Sequence, residues 1–89
     1  MSYRVEIAPA ARRQLKKLKK ADQKRIIDSI DALGEDPRPA GMKKLSGALE
    51  LYRIREGDCR IIYQVRDEVL LVLVVKVGHR KDVYRKLGV

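Results

Sequence analysis

The stretch that most limits what this chain can fold into is residues 49–84, LELYRIREGDCRIIYQVRDEVLLVLVVKVGHRKDVY. Three β-rich runs lie in it, at 49–55, 58–66 and 68–77, parted by turn signals at Glu56-Gly57 and Asp67-Glu68. Runs of Val, Ile, Leu and Tyr with short polar breaks predict an antiparallel meander. Arg53, Arg55 and Arg60 stand inside these runs. Strand interiors seldom carry charge, so the arginines need a reason.

With Glu56-Gly57 as a two-residue hairpin loop, Arg55 faces Asp58, Ile54 faces Cys59 and Arg53 faces Arg60. Strand alternation then gathers Arg53, Arg55 and Arg60 on one face and Tyr52, Ile54, Ile61, Tyr63 and Val65 on the other. A three-residue loop instead sends Arg60 to the second face. Like charges directly opposed across a strand pair are unfavourable, and an anion held between Arg53 and Arg60 removes that penalty. A two-residue turn at Asp67-Glu68 sets Arg60 against Val75 and Ile62 against Leu73, so the arginine face also carries Leu71, Leu73 and Val75. An apolar patch beside a cationic one calls for a cover, either the chain's own C-terminal segment or a partner helix.

Upstream, residues 2–7 alternate with Tyr3, Val5 and Ile7 on one side and predict a short strand pairing with the last run. Pro9 suits a helix start. Residues 10–20 carry Ala11, Leu15 and Leu18 at helical spacing, with a basic face that includes Arg12, Arg13, Lys16 and Lys17. Such a face can hold phosphate, although a charge run on a helix is usually a solvated surface. A second helix follows, with Asp22 as N-cap, Ile26, Ile27, Ile30 and Leu33 as its apolar stripe, and Gly34 as C-cap. Pro37, Pro39, Gly41 and Gly47 predict a loop over 35–47, holding Lys43 and Lys44. The expected fold is α+β, in the order β-α-α-β-β-β with a further C-terminal helix. A twisted antiparallel sheet is packed by a helical hairpin in one domain, 1–89.

Lys plus Arg number 21 against 12 Asp plus Glu, a net charge of +9. That surplus in a small chain favours an anionic partner, whether nucleic acid, an acidic protein or an anionic membrane surface. The plain alternative is a charge kept for solubility. No apolar run reaches the ~18–20 residues of a membrane span, and the N-terminus lacks a signal-peptide core, so a cytoplasmic location is expected. Cys59 is the one cysteine, which excludes an internal disulfide and fits a reducing compartment. No Cys/His cluster is present, so neither a metal nor a cofactor is expected. His79, Arg80 and Tyr84 follow the third run. Each alone is weak evidence. With the arginine face they form a candidate site, where arginines neutralise a phosphate and a tyrosine stacks on a base or orients a hydroxyl.

The segments KLSGALELYRIREGDCRIIYQV and VLVVKVGHRKDVY carry a resemblance to the RelE/ParE toxin superfamily of toxin–antitoxin systems, through the pattern YRIR-x-G-x-x-RI-x-Y followed by VGHR-x-x-VY. It extends over essentially the whole chain. The resemblance implies a RelE-like fold and a ribosome-dependent mRNA endonuclease acting in the decoding site. It also implies a cognate acidic, RelB-like antitoxin, in a heterotetramer or larger complex. The RelE branch carries two basic residues matching Arg53 and Arg55, an arginine matching Arg60, and a later arginine and tyrosine matching Arg80 and Tyr84. These are the catalytic candidates. Arg12, Arg13, Lys16, Lys17, Lys43 and Lys44 are candidates for RNA and ribosome contact, and Leu71, Leu73 and Val75 for antitoxin contact. The best-known RelE relative has lysines in place of Arg53 and Arg55, one serving as general base. Arginine, with a pKa above ~12, is a poor base. His79, Tyr84 or an unusually placed arginine stay open for that role. The chemistry implied is attack of the RNA 2′-hydroxyl on the adjacent phosphate. The gyrase-poisoning ParE branch shares the fold but typically lacks the full arginine–tyrosine set. An inactive member that binds only its antitoxin or operator DNA is the third reading.

Overall fold

The computed structural model describes residues 2–79; Arg80, Tyr84 and the expected C-terminal helix lie outside the described residues. β1 (Arg4–Ile7) leads into α1 (Pro9–Lys16) and α2 (Lys20–Glu35). Then come β2 (Lys43–Ser46), β3 (Leu51–Glu56), β4 (Cys59–Arg66), a 3₁₀ turn (Asp67–Val69) and β5 (Leu71–His79). The strands form one sheet in the order β1-β5-β4-β3-β2. The α+β class and the meander stand as expected, and β1 does pair with the last strand. That pair is parallel, from Arg4 with Leu71 to Ile7 with Val74, where an antiparallel sheet was expected throughout. The Ala8 N–H extends the ladder by donating to Val74 O at 2.8 Å, which starts α1 directly over β5. The chain from α1 through β4 supplies the long connection that a parallel pair requires.

The core lies between the helices and one face of the sheet. Ala11, Leu15, Ile26, Ile30 and Leu33 meet Tyr52, Ile54, Ile61, Tyr63, Val65, Val72, Val74 and Val77. Tyr3, Val5 and Ile7 pack against it, as their alternation predicts. A smaller cluster of Leu51 and Ile62, joined by Leu45 and Val75, sits on the other face. β4 is therefore buried on both sides, and Ile61, Ile62 and Tyr63 are all at 0% exposure.

Several boundaries differ from expectation for local reasons. α1 ends at Lys16, and the Gln23 carboxamide donates to the carbonyls of Lys16 (3.3 Å) and Leu18 (2.7 Å), satisfying groups that a helix end leaves without an intrahelical partner. α2 starts at Lys20, so Asp22 lies in its first turn rather than at its cap. Ile27 is off the buried stripe and 42% exposed, since it sits about 100° around the helix from Ile26. Gly34 is not a cap. It lies inside α2, its carbonyl accepts from Tyr3 N–H at 2.7 Å, and a Cβ there would come within 3.1 Å of Tyr3 O and Val5 Cγ2. The glycine lets β1 approach the helix. Residues 43–46, expected as loop, form the edge strand β2. Its sequence KKLS is short and lysine-rich, which suits an edge and masks the strand in the sequence.

A polar latch ties the loop after α2 to the sheet. The Arg38 guanidinium donates to both Asp67 oxygens, at 3.1 and 2.8 Å, and Tyr3 OH donates to Oδ1 at 2.6 Å. Arg38 also lies 5.3 Å from the Tyr52 ring centroid, and Tyr52 stacks on Tyr63 at 5.8 Å. Tyr63 OH donates to Pro37 O at 2.8 Å, and burial pushes its phenol up to about 12, so it stays a donor. The hydrogen bond from Arg38, followed by that from Tyr3, holds the Asp67 carboxyl down at about 2. A carboxylate whose folded pKa lies below its unfolded value adds stability above the unfolded value, and loses it as pH falls through the folded one. Acid denaturation should therefore steepen between pH 4 and 2, and Asp67→Asn should flatten that part of a melting-temperature profile.

Candidate anion-binding site

The β3–β4 hairpin turns on Gly57-Asp58, not Glu56-Gly57, so Glu56 pairs with Cys59, Arg55 with Arg60, Ile54 with Ile61 and Arg53 with Ile62. The expected opposition of Arg53 to Arg60 is thus corrected to Arg55 opposite Arg60. Gly57 has φ +60°, and a glycine at the first central position meets the positive φ that tight hairpins ask for. The slip moves both strands by one residue, which preserves face parity. Arg53, Arg55 and Arg60 therefore share the face away from the helices.

β2 adds to this face. Lys43 pairs with Arg53 and Lys44 with Tyr52, so Lys43 lies on the arginine side and Lys44 on the helix side. Two like-charge oppositions, Lys43–Arg53 and Arg55–Arg60, now stand side by side. Arg60 is only 7% exposed, and its Nη1 donates to Cys59 O at 3.1 Å. Opposite it on β5 stands Gly78, where a Cβ would meet none of the described residues within 4 Å.

The β4–β5 connection also differs from expectation. A four-residue loop, the 3₁₀ turn plus Leu70 at φ +50°, replaces the two-residue turn at Asp67-Glu68. Arg60 pairs with Gly78 rather than Val75, and Ile62 with Lys76 rather than Leu73, after a register shift between Ile62 and Tyr63. Leu71 pairs with Arg66 and Leu73 with Gln64, so both stay on the arginine side, and Val75 packs on Leu51 and Ile62. All three are half-buried.

Not every sequence candidate joins this face. His79 pairs with Cys59, a helix-side core residue, and borders a hollow with Gln14, Lys17 and Leu18. It lies on the face of the sheet opposite to Arg53, Arg55 and Arg60. Arg12, Arg13 and Lys16 on α1, and Lys17 just after it, are exposed across the sheet from Arg60. Burial raises the Cys59 thiol, which keeps it protonated and inert. Among the described residues no group of three or more His, Cys, Asp or Glu side chains is placed to hold a metal ion, and no helix is long and apolar enough to cross a membrane.

Two features were missed by sequence reasoning. One is Lys43 on the arginine face, which needed the β2 register to be found. The other is a cleft of about 670 Å³ beside β3, floored by Leu33 and Ile54 and rimmed by Asp36, Arg53, Arg55 and Glu56. It opens where β2 stops pairing beyond Arg53. Ser29 Oγ donates to Glu56 Oε2 at 2.9 Å along its wall. A cationic sheet face bordering such a cleft can hold a polyanionic chain by phosphate contacts.

A small α+β chain with a helical hairpin behind the sheet and a cationic face before it defines the class. Residues 5–84 match the family described as the ParE toxin of type II toxin–antitoxin systems, parDE. Toxin RelG of Mycobacterium tuberculosis is 29% identical to the chain, over 97% of it and 100% of that protein. The RelE–RelB complex of Pyrococcus horikoshii superposes with a TM-score of 0.81 at 33% identity, covering 93% of this chain and 100% of that one. The intact Escherichia coli RelBE complex gives 0.75 at 28% identity, covering 88% and 96%. The chain belongs to the RelE/ParE superfamily of type II toxin–antitoxin toxins.

The Arg55–Arg60 opposition should cost stability in the absence of an anion. In low-salt buffer, Arg55→Thr should raise the unfolding free energy by about 0.2–1 kcal/mol, a gain that shrinks in high salt or phosphate. Chemical denaturation at two ionic strengths measures it.

Proposed function

We propose that this toxin is a metal-independent endoribonuclease that cuts mRNA in the ribosomal decoding site and so halts translation in the cytoplasm. The observation that carries the reading is the cationic face, with Arg55 against the buried Arg60 and Lys43 against Arg53. Relatives named as RelE toxins support it further. In the proposed step the RNA 2′-oxygen bonds to the adjacent phosphorus and the P–O5′ bond breaks. A 2′,3′-cyclic phosphate and a 5′-hydroxyl are left, the 2′-hydroxyl giving up its proton to solvent and the leaving 5′-oxygen taking one up. Arg53 and Arg60, with Arg80 from beyond the described residues, meet the charge that grows on the phosphorane oxygens. Arg55 and Lys43 hold neighbouring phosphates, and Tyr84 stacks on a base or orients the attacking hydroxyl. His79, on the helix side, takes no part in the step. Lys44 and the basic face of α1 supply ribosomal RNA contacts. An acidic RelB-like antitoxin covers Leu71, Leu73 and Val75 and silences the toxin.

A second reading, inhibition of DNA gyrase, draws on the ParE description of the matching family. Single-turnover cleavage on programmed ribosomes separates the two. Arg60→Ala and Arg80→Ala should each lose roughly 10²–10³-fold in rate. Tyr84→Ala should lose ~1–3 kcal/mol of transition-state binding if stacking dominates. His79→Ala should cut at nearly the wild-type rate. No cleavage by the wild-type chain, together with blocked gyrase supercoiling, would establish the second reading.

A further inference from the structure

The outward stripe of α2 has a charge order that a solitary helix disfavours. Lys20 and Lys24 lie toward its N-terminus, Asp28, Asp31 and Glu35 toward its C-terminus, and all are exposed. The helix macrodipole prefers the reverse, with acids at the start and bases at the end. No basic residue stands in the last turn. Along the stripe Lys20–Lys24, Asp28–Asp31 and Asp31–Glu35 are like-charge neighbours at i,i+3 or i,i+4, which destabilise a helix. Lys24 and Arg25 are the basic residues spaced to offset Asp28. Among the described residues the ion pairs are Arg4–Glu6 and Arg38–Asp67, so none draws on this stripe. Glu35 does accept from Ser2 Oγ, at 3.1 Å. In the middle stands Ile27, an apolar side chain 42% exposed.

This arrangement is complementary to itself. An antiparallel copy of α2, related by a two-fold axis between Ile27 and Asp28, sets Lys20 against Glu35 and Lys24 against Asp31. It also brings the two Ile27 side chains together at the axis, with the two Asp28 carboxylates beside them. The opposed macrodipoles compensate each other, and Lys20, Lys24, Asp31 and Glu35 each meet an opposite charge. We propose that the chain self-associates into a two-fold dimer through the exposed face of α2. A two-fold contact of this kind uses the same patch on both copies and closes on itself. The helices cover the sheet face opposite to Arg53, Arg55 and Arg60, so the dimer leaves the cationic face open on each copy. The inference does not depend on the ribonuclease reading.

Sedimentation equilibrium of the full chain tests it. In low salt the wild type should show a monomer–dimer equilibrium that weakens as salt rises. Each single reversal, Lys24→Asp or Asp31→Lys, converts two attractive contacts into repulsive ones and should raise the dissociation constant about tenfold or more. The double variant K24D/D31K should dimerise like wild type. An equimolar mixture of K24D and D31K should form a heterodimer, because each then presents the charge the other lacks. Far-ultraviolet circular dichroism checks that every variant is folded. Ile27→Cys should form an intermolecular disulfide on mild oxidation, with Cys59 buried and out of reach. A wild type that stays monomeric up to about 1 mM in low salt overturns the proposal. So does a dimer that neither single reversal weakens, or single variants that fail to pair on mixing.

Discussion

Burial of β4 on both faces sets the terms for the rest of the sheet. Ile61, Tyr63 and Val65 face the helices, while Ile62 fills the small cluster with Leu51, Leu45 and Val75. A strand so constrained cannot slip by one residue without driving Arg60 and Gln64 into the helix-side core. The hairpin at Gly57-Asp58 then hands the same constraint to β3, and β3 hands it to β2. The charge oppositions Lys43–Arg53 and Arg55–Arg60 are consequences of apolar packing on the far side of the same strands. Their repulsion is tolerated because the hydrophobic term is larger. Burying several aliphatic and aromatic side chains at ~1.5–3 kcal/mol each outweighs cross-strand repulsions of under about 1 kcal/mol.

The face of the site was legible in the sequence, and its pairing was not. Alternation alone assigns Arg53, Arg55 and Arg60 to one side and Tyr52, Ile54, Ile61, Tyr63 and Val65 to the other. That assignment survives any slip which conserves the two-residue loop. Which residue faces which depends on whether Glu56 or Asp58 joins Gly57 in the turn, and both dipeptides are acceptable turn formers. The β4–β5 connection was less legible still. It needs a left-handed Leu70 and a register shift beside Ile62, and neither has a sequence signature. β2 escaped notice because an edge strand protects itself with lysines, the residues that argue against a strand. Gly34 misled for a related reason. A glycine near a helix end suggests a cap, yet here it admits the backbone of Tyr3.

The Arg38–Asp67–Tyr3 latch joins segments that are remote in sequence. It ties the loop after α2 to the start of β1 and to the β4–β5 turn, while Arg38 also lies on the Tyr52 ring. The cleft beside β3 has Asp36, Pro39 and Ala40 of that loop in its wall, opposite Arg53 and Arg55. The latch therefore acts on the shape of the cleft without touching it. Exposed as it is, the ion pair adds little stability by itself. Its effect is to hold one loop geometry against others of similar energy.

The net charge of +9 conceals an uneven distribution. The sheet face collects Lys43, Arg53, Arg55 and Arg60, and the strand residues in register with them are one another and Ile62 and Gly78. The acidic side chains of α2 stand on the other side of the molecule. This separation keeps the carboxylates of α2 away from the cationic face. It also leaves the outward stripe of α2 bipolar, with its charges in the wrong order for the helix dipole. Both surfaces are costly for an isolated chain at low ionic strength, and both costs fall when the right counterpart arrives. On the readings proposed above, that counterpart is a polyanion for the sheet face and a second copy of the chain for α2. A uniformly cationic protein of the same net charge would attract nucleic acid just as well but would repel its own copies.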